Sequence, residues 1–404
     1  MKRLLQINTV INSGSTGRIA EEIGQAATVA GWKSYIAYGR NERQSKSELI
    51  KIGNDWDIRF HGLQTRLFDK HCIASKAATR ELVQQIEKIG PNIIHLHNLH
   101  GYYLNIEILF QYLKEANIPV VWTLHDCWPI TGHCSHFTFV GCEKWKTKCS
   151  SCPQKTNYPA SWLIDRSKKN FNLKKQLFTS LPKLTLVPVS NWLSNILKES
   201  FLKDLSIQVI HNGINTDIFK PTTERSIRTK YNLENKTIML GVASVWSQRK
   251  GLNDFIELSG KLNSTFQIIL VGLSKKQKKE LPDNIIGIER TESIEELAEM
   301  YSTSDVFINP TYEDNFPTTN IEALGCGTPV ITYRTGGSPE AIDEYTGLIV
   351  EQGNINKLID AINQIKEKGN YFYTSACRQR ALDKYRKEDR YQEYIELYKL
   401  LLNK

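Results

Sequence analysis

The chain has 404 residues, 40% of them hydrophobic and 24% charged, with a formal net charge of +9. That length suits two domains of ordinary size, and that composition excludes a disordered chain. No run approaches the roughly 18 apolar residues of a transmembrane helix, which excludes a helical membrane protein.

The opening Met1-Lys2-Arg3-Leu4-Leu5-Gln6 is too polar for a secretory leader, and residues 2–9 read as a first strand. A cytoplasmic protein with eight reduced cysteines is therefore expected. Asn12-Ser13-Gly14-Ser15-Thr16-Gly17-Arg18 then leads into an amphipathic helix over 17–31. Glycines there allow close backbone approach, and a helix N-terminus offers N–H groups to an anion. A capped tight turn explains the same residues, and neither the Gly-x-Gly-x-x-Gly fingerprint nor a P-loop is present. Residues 33–39, 92–97, 119–124 and 183–189 are further buried strands, with helices at 77–89, 104–116 and 166–178. Such alternation favours a parallel sheet covered on both faces.

Three features lie within this half. His95 and His97 alternate along one strand, share a face, and are expected to line a cleft rather than hold metal. The strand at 119–124 ends in His125-Asp126, where the acid either orients the histidine or reaches an acceptor. Cys134, Cys142, Cys149 and Cys152 follow, spaced Cys-x7-Cys-x6-Cys-x2-Cys. They could hold a tetrahedral structural zinc, stay as reduced thiols, or form disulfides; no standard zinc-finger spacing is matched. From Glu143 to Lys175 nine basic residues face two acids, interleaved with Trp145, Tyr158, Trp162 and Phe171. A strip of that kind suits solvent, an anionic membrane or lipid diphosphate, or nucleic acid, and no nucleic-acid motif accompanies it.

The pattern restarts after a changeover at 208–220, where Val209-Ile210-His211-Asn212-Gly213-Ile214-Asn215 reads as a strand and a turn. Strands are expected at 237–243, 266–271, 284–288, 305–309 and 329–332, with helices at 252–262 and 294–303 and an amphipathic helix at 388–402. The first strand leads through Ser244 to Arg249-Lys250-Gly251, two cations suited to a diphosphate. Gly272 follows the second strand and could face a nucleobase. After the fourth come Tyr312-Glu313-Asp314-Asn315-Phe316-Pro317-Thr318-Thr319, with Glu322 eight positions beyond Asp314 on the helix that the Pro317 region opens. Acids beside a helix N-terminus suit a ligand with hydroxyls at its flanks and phosphates in its middle. Two acids capping a helix are the plainer explanation. Gly336-Gly337-Ser338-Pro339-Glu340 closes the series; its glycines could let backbone pass beneath a nucleotide.

Taken together, the Asp314–Glu322 spacing, Lys250-Gly251, His125-Asp126 and Gly336-Gly337-Ser338-Pro339-Glu340 resemble the retaining family 4 glycosyltransferases. The cysteine stretch and His95-Leu96-His97 resemble their polysaccharide-building branch, which includes the colanic acid type. The resemblance implies an α/β GT-B fold: two doubly wound Rossmann-like domains with parallel sheets facing across a cleft. It implies an acceptor domain over 1–208, onto which the helix 388–402 packs back, and a nucleotide-sugar domain over 209–387. Donor contacts would come from Gly14, Ser15, Thr16, Gly17, Ser244, Arg249, Lys250, Gly272, Asn315, Phe316, Pro317, Thr318, Thr319 and Glu322. His125, Asp126, Lys250 and Asp314 or Glu313 would stand at the reacting centre. The implied reaction retains configuration, needs no metal, and moves a hexose-type sugar to a saccharide or undecaprenyl-linked acceptor. Capsule or exopolysaccharide assembly at the inner face of the cytoplasmic membrane is the implied setting, without nucleic acid. Rivals are a nicotinamide dehydrogenase, whose glycine fingerprint is absent, a GT-B epimerase or phosphorylase, and a non-catalytic polysaccharide- or lipid-binding protein.

Overall fold

The computed structural model describes residues 1–224 and 226–403. The chain divides into two compact units, one formed by Met1–His211 with the segment from Tyr391 onward, the other by Asn212–Arg390. Among the described residues no helix is long and apolar enough to cross a membrane.

The first unit is built on seven parallel strands: β1 (Arg3–Val10), β2 (Lys33–Arg40), β3 (Glu48–Lys51), β4 (Ile93–Leu96), β5 (Val120–Leu124), β6 (Leu184–Pro188) and β7 (Ser206–Ile207). Their order is β3-β2-β1-β4-β5-β6-β7. β1, β4 and β5 are buried on both faces, as helix-covered parallel strands must be, and so read as near-continuous apolar runs. The polar residues in those runs are satisfied internally: Gln6 donates its amide to the Ala20 carbonyl at 2.7 Å, and Asn8 donates to the Val10 carbonyl at 3.0 Å.

The helix Lys387–Leu402 buries Tyr391, Tyr394, Ile395, Leu397 and Tyr398 against Leu4, Ile23, Trp32 and Ile93 of this unit. Each buried tyrosine finds a partner for its hydroxyl: Glu22 for Tyr391, Thr123 for Tyr394 and His95 for Tyr398. His95 therefore belongs to the core beneath this helix, which corrects the expectation that it lines a cleft, whereas His97, buried beside it, borders a small cavity with His125 and Asp126.

The second unit repeats the plan with six parallel strands: β8 (Thr237–Val242), β9 (Phe266–Val271), β10 (Ile285–Ile288), β11 (Val306–Asn309), β12 (Val330–Tyr333) and β13 (Gly347–Val350). Their order is β10-β9-β8-β11-β12-β13, so the chain turns from one side of β8 to the other at β11. Ligands of open parallel sheets bind outside the carboxyl ends at such a reversal.

Two further expectations need correction. Residues 209–213 form no strand; the edge strand is Ser206–Ile207, and Ile214 makes only an isolated bridge to Arg386. The basic segment 143–175 is not one continuous surface strip, because Trp145, Phe171 and Lys174 are buried. Lys174 donates to the carbonyls of Trp128 at 2.7 Å and Thr131 at 3.0 Å and lies over the Trp128 ring. Its burial lowers the ammonium pKa to about 7.

Candidate active site

In the second unit four loops converge at the carboxyl ends of β8, β9, β11 and β12, drawn together by glycines at positions where a Cβ would clash. Gly272, at φ +96°, lies so close to the loop after β8 that a Cβ would sit 1.6 Å from the Ala243 carbonyl oxygen. Gly251, at φ +76°, presses on Pro310 after β11, with a Cβ placed 2.2 Å from its carbonyl oxygen. Gly336, at φ +51°, abuts the carbonyl of Asp314, which also accepts from the Gly337 N–H at 3.2 Å. Gly336 and Gly337 thus brace the Asp314 turn itself.

The charged residues sit within this frame. The Tyr312 N–H donates to the Arg249 carbonyl at 2.8 Å, and the Arg249 guanidinium donates to the Glu313 carbonyl at 2.7 Å. Lys250 pairs with the Asp314 carboxylate at 2.5 Å, both side chains partly exposed. Glu313 is buried, as are Asn315, Phe316 and Pro317. The structure thereby separates the two acids that the sequence left as alternatives: Asp314 reaches the cation, while Glu313 turns inward. Ser244 is exposed on the loop after β8.

The helix Thr318–Gly325 starts at this point, its first-turn residues Thr318 and Thr319 half-buried. Asn309 donates to the Asn320 side-chain oxygen at 2.8 Å, and Asn320 donates to the Ser338 carbonyl at 3.2 Å, fixing where the helix begins. Glu322 is buried and accepts a hydrogen bond from the Tyr301 hydroxyl at 3.0 Å. Sequence reasoning missed Asp254, which accepts from Tyr312 at 2.9 Å and from Tyr333 at 2.5 Å and ties the Lys250 turn to β12. Its place in the turn after Lys250-Gly251 was the available signal.

In the first unit the expected loop at Gly14–Gly17 is already helical, since the helix spans Gly14–Val29. Ser15 and Thr16 lie in its first turn, and Gly17 packs on β1, where a Cβ would meet the Val10 side chain at 3.1 Å.

At the end of β5, Asp126 is tied to His100 and to the backbone that follows it. Its carboxylate pairs with His100 at 2.6 Å and accepts from the Trp128 N–H at 2.9 Å. Burial would raise the Asp126 pKa, yet the neighbouring His100 and these hydrogen bonds hold it down at about 2. His100 in turn meets the Tyr158 hydroxyl at 3.0 Å.

His125 Nε2 lies 3.2 Å from His97 Nδ1, and His97 Nε2 lies 3.0 Å from Gln6 Oε1. The Gln6 amide group already donates to Ala20, so its oxygen accepts from His97 Nε2–H. Burial keeps both imidazoles neutral, with His125 lowered to about 4. His97 Nδ1 must then accept from His125 Nε2–H, leaving Nδ1 of His125 as its acceptor nitrogen.

Cys134, Cys142, Cys149 and Cys152 border one small cavity together with His133, and all four are free thiols. His133 is held through Nδ1 by Asp69 at 2.7 Å. Among the described residues, no three such side chains form a ready metal-ligand group. Of the alternatives the spacing left open, a zinc site would have its four cysteines around one cavity without a preformed ligand set.

Both halves of the chain match family models: "Glycosyltransferase Family 4" over residues 16–218 and "Glycosyl transferases group 1" over 223–385. A putative colanic acid biosynthesis glycosyl transferase, WcaC of Escherichia coli K12, is 25% identical over 98% of this chain and 100% of its own. Sucrose-phosphate synthase from Thermosynechococcus elongatus superposes with a TM-score of 0.73 at 19% identity, covering 100% of both chains. Anabaena Alr3699/HepE in complex with UDP superposes at 0.70 with 14% identity, over 98% of this chain and 99% of that one. The fold is GT-B, and the chain belongs to glycosyltransferase family 4.

Proposed function

We propose that this glycosyltransferase moves a hexose-type sugar from a nucleotide-sugar to a saccharide or undecaprenyl-linked acceptor in cell-surface polysaccharide biosynthesis. The second unit takes the donor and the first the acceptor, and the protein works at the inner face of the cytoplasmic membrane. The observation that carries the donor site is the Lys250–Asp314 pair, held beside Arg249 and the first turn of the helix Thr318–Gly325. A diphosphate supplies more negative charge than one carboxylate and so takes over Lys250. Asp314 is then released towards the sugar hydroxyls, and Glu322 faces the ribose.

Lys250, Arg249 and backbone N–H groups neutralise the departing nucleoside diphosphate without calling on a metal. Retention follows if the departing phosphate oxygen takes the acceptor hydroxyl's proton on the face it leaves. His125, neutral and with Nδ1 as acceptor, is suited to hold a sugar hydroxyl rather than to act as a strong acid. The match to the colanic acid relative supports the polysaccharide setting.

A panel of nucleotide-sugars, with the free nucleoside diphosphates as controls, tests this by thermal stabilisation and by release of diphosphate. One donor should raise the melting temperature and release diphosphate only when acceptor is present. Stabilisation by a nicotinamide dinucleotide instead, or conversion of the donor without acceptor, would overturn the reading.

A further inference from the structure

The helix Asp55–Phe68 is inverted relative to an ordinary surface helix. Its buried positions are His61, Gly62 and Thr65, whereas Trp56, Phe60 and Leu63 point outwards. Their spacing of four and three residues puts them on one face. Trp56 is 75% and Phe60 62% exposed, values that no packing within this unit explains.

Cations share that face. The Arg59 guanidinium lies 5.2 Å from the centre of the Trp56 ring, and Arg66 lies 5.8 Å from the Trp162 ring. The helix carries two acids, both in its first turn: Asp55 pairs with Lys51 at 3.6 Å, and Asp57 is engaged by the cap, accepting from the Asn54 N–H at 2.9 Å. A second exposed apolar segment adjoins the helix end: the Trp162 N–H donates to the Arg66 carbonyl at 2.6 Å, and Leu163 and Ile164 follow, Leu163 66% exposed. Tryptophan, phenylalanine and leucine interleaved with arginine suit the headgroup boundary, where rings and aliphatic carbon enter the bilayer and guanidinium groups meet lipid phosphates.

We infer that this face, formed by the helix Asp55–Phe68 and residues 162–164, docks the protein on an anionic bilayer. A second copy of the chain is the poorer occupant, because the same cationic face would meet itself. The face is also connected to the candidate acceptor site. Four residues before Trp162, the Tyr158 hydroxyl meets His100, which pairs with Asp126. A lipid-linked acceptor held in the membrane would thus be presented near His125 and Asp126. That use rests on the transfer reading above; the docking rests on the exposed face alone.

The test is co-sedimentation of the full chain with phosphatidylcholine vesicles with and without phosphatidylglycerol. Wild type should bind the anionic vesicles and release them as salt is raised. Trp56→Ser with Phe60→Ser and Leu63→Ser, and separately Arg59→Glu with Arg66→Glu, should each weaken binding on the order of tenfold or more. Both variants should keep the wild-type melting temperature and wild-type transfer to a short soluble acceptor. Equal binding to neutral vesicles, or wild-type binding by either variant, overturns the inference. So does a lipid-free dimer of wild type that the triple variant abolishes, since the face would then join copies of the chain. Vesicle binding that persists when no donor or acceptor supports transfer would sink the transfer reading and leave the docking intact.

Discussion

Lys250 and Asp314 neutralise each other when no donor is bound, so the two residues should respond to mutation in opposite ways. In the proposed donor site, removing the lysine deletes a charge aimed at the departing diphosphate. Lys250→Ala should therefore lower turnover on the order of 10²-fold, by comparison with loss of one oxyanion donor. Removing the acid deletes a competitor for that lysine. A half-buried pair of this kind contributes about 1 kcal/mol, so Asp314→Asn should bind free nucleoside diphosphate roughly fivefold more tightly. Its turnover should nevertheless fall, because the carboxylate proposed to reach the sugar is lost. Calorimetric titration with the diphosphate beside steady-state kinetics separates the two effects. Tighter diphosphate binding by Lys250→Ala, or weaker binding by Asp314→Asn, would contradict the assignment.

At the scale of elements, the glycine-braced loops decide whether these side chains meet. Gly336 has a left-handed backbone and a carbonyl where its Cβ would stand, so Gly336→Ala must push the Asp314 turn aside. The expected cost is about 1–3 kcal/mol, with turnover reduced further than the melting temperature alone explains. Gly260, inside the helix Leu252–Lys261 with open space around it, is the matching control. Gly260→Ala should add about 1 kcal/mol of stability and leave turnover alone. Chemical denaturation with parallel rate measurements checks both, and a neutral Gly336→Ala would remove the bracing argument.

The same contrast explains what the sequence could reveal. The parallel strands were legible because burial on both faces leaves apolar runs such as Ile93–Leu96. The helix Asp55–Phe68 was not, because Trp56, Phe60 and Leu63 face out while its fully buried positions are His61, Gly62 and Thr65. Within the site, Lys250 and Asp314 could be located from local motifs. Asp126's true partner could not, since His100 lies 26 positions earlier and only the sheet brings them together.

On the scale of the whole molecule, the histidines divide the two units. All nine lie in residues 1–211, and none falls within 212–390. His61, His71, His95, His97 and His125 all have pKa values lowered by burial, His61 to about 3 and His125 to about 4. A group lowered in this way binds its proton only in the unfolded chain between the ordinary value near 6.5 and its folded value. Stability is then lost as pH falls through that interval. At pH 5, His61 and His125 each remove about 2 kcal/mol relative to pH 7 by this linkage. His133 acts in the opposite sense: burial would lower it, but the Asp69 carboxylate raises it, so its pairing favours the folded state in acid. One such residue does not offset five. Scanning calorimetry from pH 7 to 5 should show the first unit's transition moving down while that of Asn212–Arg390 holds its position. His125→Asn should flatten part of the first unit's slope. A first-unit transition that keeps its temperature across this interval would mean that these imidazoles can take up protons without unfolding, and His125 could then no longer be treated as neutral at the proposed reacting centre.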